Sequence, residues 1–287
     1  MLTKRMILLF FRDKMNVFFS LLATLIIIML YVLFLGNMIR QTLESAMGFS
    51  SDLIGLAAAS VMLSGMIAVT STSACMGALG VAVADRQDAG KDFHTSPLAR
   101  WKISLGYITG AGIVGLLMTL IALVLVTAYL LTQGGSLPTL TGMGQLFITV
   151  ILSSLCANSM MYFVIMFIKT ENAYSSFVSV TSTLMGFVMG IYIPIGVFPE
   201  SIQWVSKLFP MSHAAAMFRQ VIADSELSRL FEGAPPEHLE EFRILYGVVY
   251  DFGGYISNFW FSTFALILYS FIFFTLSVIT MRFRKTD

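Results

Sequence analysis

The sequence predicts an all-α polytopic membrane protein with six transmembrane helices. Three observations carry that expectation. Hydrophobic residues make up 57% of the 287 positions and charged residues only 11%, against roughly a quarter charged in an ordinary soluble domain. Mean hydropathy is +0.84 along the whole chain, more than one buried core supplies, because a soluble fold must cover its core with polar groups. Charge-free stretches also recur at the ~20-residue length a helix needs to cross the ~30 Å hydrocarbon layer. Their continuity excludes a β-barrel, whose strands are short and alternate in polarity. With 17 Lys and Arg against 16 Asp and Glu, no global basic field exists to bind nucleic acid.

Each element follows from composition. Residues 1–16 cluster Lys4, Arg5, Arg12 and Lys14 around an apolar stretch with Met6, Leu9 and Phe10, which suits an N-terminal helix lying in the cytoplasmic interface. The first charge-free window is Met15–Ile39, with its apolar centre at Val17–Leu35, and the second is Leu53–Ala84. The window Ile103–Ile168 is too long for one span. The turn-rich stretch from Thr132 to Pro138 divides it into Leu105–Leu131 and Leu146–Ile168. Asn172–Pro199 and Phe252–Met281 supply the fifth and sixth spans, closing a transmembrane domain over 17–281 and leaving a tail at 282–287.

One set of loops holds 12 of the 17 cations: Lys4, Arg5, Arg12, Lys14, Arg86, Lys91, Arg100, Lys102, Lys169, Arg282, Arg284 and Lys285. The positive-inside rule therefore predicts both termini in the cytoplasm. The first apolar run is about twice the length of a signal-peptide core and lacks a small-x-small cleavage site, so it is expected to stay as a span. Cys75 and Cys156 both fall inside spans, where packing as small residues is expected and no disulfide framework follows.

No ionisable residue falls within the six predicted spans. Ion-coupled carriers and voltage sensors usually place one there, so coupling to an ion gradient is disfavoured. The three histidines are scattered, no His-Glu-x-x-His helix is present to hold zinc, and no Gly-x-x-x-x-Gly-Lys-Ser/Thr loop is present to cradle ATP phosphates. No catalytic residue, metal site or cofactor site is therefore expected in this chain, and energy must come from outside it. Neutral hydroxyls are abundant instead. The second span carries Ser60, Ser64, Thr70, Ser71, Thr72 and Ser73, the fourth Ser153, Ser154, Asn158 and Ser159, and the fifth Ser175, Ser176, Ser179, Thr181, Ser182 and Thr183. They suit helix–helix contact or a weakly polar path, for which Ser64, Thr70, Ser71, Ser73, Ser179 and Ser182 are the candidates. Gly106/Gly110 and Gly186/Gly190 have the Gly-x-x-x-Gly spacing of close helix packing.

Two further segments stand out. The short cytoplasmic loop 85–102 mixes charges of both signs around Phe93 and Leu98, and exposed apolar residues in so polar a stretch suit docking of a partner. The external region 198–254 follows a run broken by Pro194 and Pro199 and contains a short helix before Pro210, with Ile202, Val205, Leu208 and Phe209 on one face. Proline removes a backbone donor and stops a helix, so re-entrant or interfacial pieces are expected. Beyond the Gly233–Pro236 break, Leu239, Phe242, Leu245 and Val249 predict an amphipathic external helix.

The six-span layout, the loop with Asp85-Arg86, Gly90 and Ser96-Pro97, and the run Gly190, Pro194, Pro199, Pro210, His213 and Arg219 resemble the permease subunit of type-2 ATP-binding-cassette exporters. The resemblance implies that loop 85–98 is a coupling helix seated in a separate cytoplasmic ATPase, with Asp85, Arg86, Gly90, Asp92, Phe93 and Pro97 at the contact and Phe93 as its apolar anchor. It implies ATP and Mg in that partner rather than here, and a second copy or a homologous permease across a two-fold interface. Spans one, two and five would line the path, and Pro194, Pro199, Pro210 and Arg219 would belong to an external gate. The extension 223–254 has no counterpart in that pattern. The implied activity is export of a drug, antimicrobial peptide or other amphiphile from a bacterial plasma membrane, by alternating access or a lateral path open to membrane lipid. A permease for a lipid-linked glycan is the alternative. A lipid scramblase or membrane-embedded enzyme is a reading of another class.

Overall fold

A computed structural model describes residues 2–47, 52–87 and 100–283. Among these residues every regular element is helical apart from one isolated bridge between Asp251 and Ile256. In chain order the helices are α1 (Leu2–Arg12), α2 (Lys14–Leu30), α3 (Gly36–Met47), α4 (Asp52–Gln87), α5 (Arg100–Thr132), α6 (Leu140–Ile165), α7 (Glu171–Val188), α8 (Glu200–Leu208), α9 (Pro210–Ile222), α10 (Asp224–Leu230), α11 (Pro236–Leu245) and α12 (Phe259–Phe283).

Four of these, at Asp52–Asp85, Lys102–Thr132, Leu140–Ile165 and Phe259–Met281, are long and apolar enough to cross a membrane. The first and fifth expected spans are built differently. Helix α2 passes into α3 through a π-helical turn, Tyr31–Leu35. That turn leaves the Tyr31 carbonyl where a Cβ on Gly36 would meet it at 2.9 Å, so glycine is what lets the chain continue. Helix α7 stops at Val188 rather than near Pro199, because Gly190 takes a left-handed φ of +65° and ends the helix as glycine commonly does.

Boundaries elsewhere follow local chemistry. Asp13 separates α1 from α2 and accepts a hydrogen bond from the Met15 amide at 3.0 Å. Thr139 and Thr170 cap α6 and α7 by accepting from the Gly142 and Ala173 amides. The fourth span therefore begins at Leu140, six residues before the apolar run suggests, since a cap satisfies backbone donors that hydropathy does not register. The last span begins at Phe259 and not at Phe252, because Asn258 caps it through the Phe261 amide at 2.8 Å.

Helix α4 is the axis of the bundle: nearly every residue from Ile54 to Leu79 is buried, and α1, α2, α5, α6, α7 and α9 pack around it. Small side chains let them approach. Cys75 lies against the Ala111 and Ser154 carbonyls at 3.9 Å, and Ser71 and Thr119 both meet the Ser154 hydroxyl, forming a polar knot where α4, α5 and α6 cross. Asn158 of α6 donates to the Ile108 carbonyl of α5 at 2.9 Å. In lipid such contacts replace the hydrophobic drive that holds soluble bundles together.

Candidate functional site

A cavity of about 440 Å³ opens between α2, α4 and α7. Its walls are Phe19, Leu22, Ile26 and Leu30 from α2, Ser73 and Gly77 from α4, and Val178, Ser182 and Thr183 from α7, with Ser20 and Tyr192 completing it. No charged side chain lines it among the described residues. Aliphatic and aromatic surface with a few hydroxyls is chemistry that seats an uncharged or amphiphilic molecule.

Of the six hydroxyls expected on a path, Ser73 and Ser182 line this cavity. Ser179 is exposed on α7. Ser64, Thr70 and Ser71 are wholly buried in the bundle. Ser64 and Thr70 donate to carbonyls of their own helix, at Val61 and Met66, while Ser71 belongs to the polar knot. Tyr174 ties α7 to α4 by donating to the Met76 carbonyl.

One end of the bundle is closed by a clamp centred on Asp85, in the last turns of α4. Arg5 of α1 grips its carboxylate with two nitrogens, at 2.6 and 3.0 Å, and the Tyr107 hydroxyl of α5 donates to it at 2.6 Å. The carboxylate raises Arg5 above its ordinary value. Helix α1 lies in a groove of α5 made by Gly106 and Gly110, where an added Cβ would meet Leu2 at 2.8 Å and the Met6 sulfur at 2.7 Å. Thr3 and Thr109 complete the seat at 2.9 Å. The glycine pair thus receives the N-terminal helix and not another span. Asp85 is engaged inside the chain, and of the other expected coupling residues Arg86 lies in α4 while Gly90, Asp92, Phe93 and Pro97 lie outside the described residues.

The opposite end is organised by Arg219. It is fully buried and its guanidinium donates to four carbonyls: Val61 at 3.2 Å, Gly247 at 3.2 Å, Met189 at 2.8 Å and Gly190 at 2.9 Å. These belong to α4, to the turn after α11 and to the end of α7, so one side chain joins three segments. Gly65 makes the space, since a Cβ there would lie 2.6 Å from the guanidinium. The three expected gate prolines sit nearby in sequence, each at a break: Pro194 before a short 3₁₀ turn, Pro199 at the start of α8 and Pro210 as the first residue of α9. Helix α8 turns its apolar side outwards, with Ile202, Val205 and Leu208 exposed and Ser206 buried, and Lys207 lies 5.0 Å over the Trp204 ring. An apolar face turned away from the protein needs lipid or another chain against it.

Residues that pattern reading overlooked share one property: they are polar groups whose partners are distant in sequence. Glu226 is almost wholly buried and accepts from the Ser136 amide and hydroxyl at 2.9 and 3.0 Å and from Ser225 at 2.7 Å, tying the α5–α6 turn to α10. Tyr107 and Arg5 are of the same kind. Glu226 lies among the other charged residues of its short helix, so no local pattern marks it, whereas Arg219 was already marked by its motif.

A family model described as ABC-2 type transporter matches residues 1–223. No curated protein matches the chain.

Proposed function

The chain belongs to the ABC-2 type transporter family, and from that premise we propose that it is the six-span permease of an exporter that moves an uncharged or amphiphilic compound outward. Membership makes it a permease component of an ABC transporter, a family that normally works with an ATP-binding-cassette subunit. The observation that supports the cargo class is the cavity between α2, α4 and α7: its wall is mostly apolar, its polar groups are hydroxyls, and it carries no charge among the described residues. A cavity of that composition would have to desolvate an ion at a cost no partner returns, whereas an amphiphile finds both apolar wall and hydrogen bonds.

The same reading assigns α1 and the Asp85 end to the cytoplasmic face, on the cation asymmetry, and places the Arg219 end outside. It also assigns a second copy to the exposed face of α7, where Ser175, Ser176, Ser179 and Thr183 alternate with Val180 and Leu184. Hydroxyls on a surface meant for lipid alone gain nothing, and small polar residues are the usual means of close helix contact in a membrane.

The test is export of a hydrophobic dye by cells expressing the chain with the ATPase subunit that copurifies with it. Ser182→Phe fills the cavity and is expected to abolish most export while leaving the ATPase bound. Purified chain without its partner is expected to turn over ATP at background only. Normal export by Ser182→Phe would remove the cavity from the path, and robust ATP turnover by the chain alone would overturn the assignment.

A further inference from the structure

We infer that the segment following residue 223 builds a binding site for a small zwitterion, an acidic group and an amine on one molecule, at the Arg219 end of the bundle. The family match stops at residue 223, and the next thirty or so residues are ordered: α10, α11 and the turn bridged between Asp251 and Ile256. Together with α6 and α9 they line a separate, open cleft of about 410 Å³, within the size range of small-molecule sites.

The wall of this cavity differs from that of the cavity between α2, α4 and α7. It holds one cation and one anion, Arg243 and Asp224, joined at 3.2 Å, and the amide side chains Gln145, Gln220 and Asn258. Charges of both signs in one cavity match a ligand that carries both, because each charge of the ligand meets its opposite.

Arg243 is under-used where it stands. Only its Nη2 has a partner among the described residues, the Asp224 carboxylate, and its Nε is buried with none. A buried donor without an acceptor is unfavourable, and a phosphate or carboxylate entering the cavity would take the fork of nitrogens as planar guanidinium is suited to do. Asp224 is more than half exposed and is free to turn to an amine. Gln220 and Asn258 are held in place, the first by donating to the Val248 carbonyl at 2.8 Å and the second by capping α12. The site is thus built on fixed elements with one adjustable ion pair at its centre. It stands apart from the export reading, since none of its residues lines the cavity between α2, α4 and α7.

Phosphoethanolamine is a suitable probe, because it occurs both free and as a phospholipid headgroup. Detergent-purified protein is titrated calorimetrically with free phosphoethanolamine, inorganic phosphate and ethanolamine. Protein in nanodiscs of phosphatidylethanolamine or of phosphatidylglycerol is released and weighed by native mass spectrometry. Expected results are tighter binding of the zwitterion than of either half, and an affinity about tenfold weaker in Arg243→Gln, the loss of one strong charge-assisted contact. Asp224→Asn is expected to weaken phosphoethanolamine but not phosphate. Calorimetric binding that depends on Arg243 assigns a soluble ligand, and Arg243-dependent retention of phosphatidylethanolamine assigns a lipid headgroup. Either supports the site. Phosphate binding as tightly as phosphoethanolamine, binding unchanged in both variants, or no binding of any probe overturns it. Thermal unfolding and ATPase copurification that match the parent protein show that the variants are folded.

Discussion

The two ends of the bundle are each held by an arginine, and they use it in opposite ways. Arg5 sits on a half-exposed helix, pairs with a carboxylate and shares that carboxylate with Tyr107. Arg219 is fully buried, and the acceptors it reaches are neutral carbonyls. Arg5 keeps 43% of its side chain exposed and Asp85 13%, and a pair that solvent reaches through one partner is screened by salt, so the Asp85 clamp can open. A buried guanidinium has given up its hydration and must keep every acceptor it found. One end is a latch and the other a keystone. The latch residue Asp85 is itself the first residue of the segment 85–98 that the family resemblance makes the ATPase contact.

That contrast orders the expected effects. Arg219→Met removes four charge-assisted hydrogen bonds; the Val61 carbonyl keeps the Ser64 hydroxyl, while the Met189, Gly190 and Gly247 carbonyls lose this donor. Bonds to charged groups contribute about 1.5–3 kcal/mol each, and the released desolvation cost offsets part of that, so a net loss on the order of 3 kcal/mol is expected. Thermal unfolding of the purified protein should fall by many degrees, and residues 190–259 should become the first site of proteolysis. An Arg219→Met protein as stable as its parent would dissolve the contrast.

Gly65→Ala approaches the same keystone from the other side. The new methyl would stand 2.6 Å from a guanidinium that four bonds prevent from moving, and overpacking of this kind costs about 1–3 kcal/mol. Combined with Arg219→Met it should cost almost nothing more, since the clash has lost its second party. A double-mutant cycle on unfolding temperature measures that coupling. Additive effects would place the strain elsewhere.

Gly110→Leu should lift α1 from its groove on α5, at about 1–2 kcal/mol, again by overpacking. A cysteine at Met6 should then react faster with a soluble maleimide than in the parent. The smallest effect belongs to the latch itself. Arg5→Ala should change stability by less than about 1 kcal/mol, and what difference remains should shrink at high salt. Export should fall more than stability does, because Asp85 stands in the last turns of α4 at the start of the coupling loop. Equal losses in export and stability would make the latch merely structural.

Much of the fold was legible before any coordinates. Apolar length marks a span because the bilayer sets one scale for every helix, and Pro194, Pro199 and Pro210 mark breaks because proline has no amide hydrogen to give a helix. The amphipathic α1 was legible too, with Met6 and Phe10 inward. Less of the site could be read. Counting hydroxyls named six candidates on two spans, but the rotation of each helix put Ser73 and Ser182 on a cavity wall and turned Ser64, Thr70 and Ser71 into the bundle. Helices α4 and α5 are apolar all round, so no periodicity reports which face looks where.

By itself, then, the sequence determined what each segment is: apolar or polar, long enough to span or not, able to continue a helix or compelled to stop. These are properties of composition and local backbone sterics, and they need no neighbour. Only the tertiary structure decided what each polar residue does. Gly65 makes room for a side chain 154 positions away, Arg5 finds Asp85 across 80 positions and Arg219 finds Val61 across 158. A buried polar group must be satisfied, but it does not encode by whom. The choice of partner is made when helices pack, and it is that choice which separates the latch from the keystone.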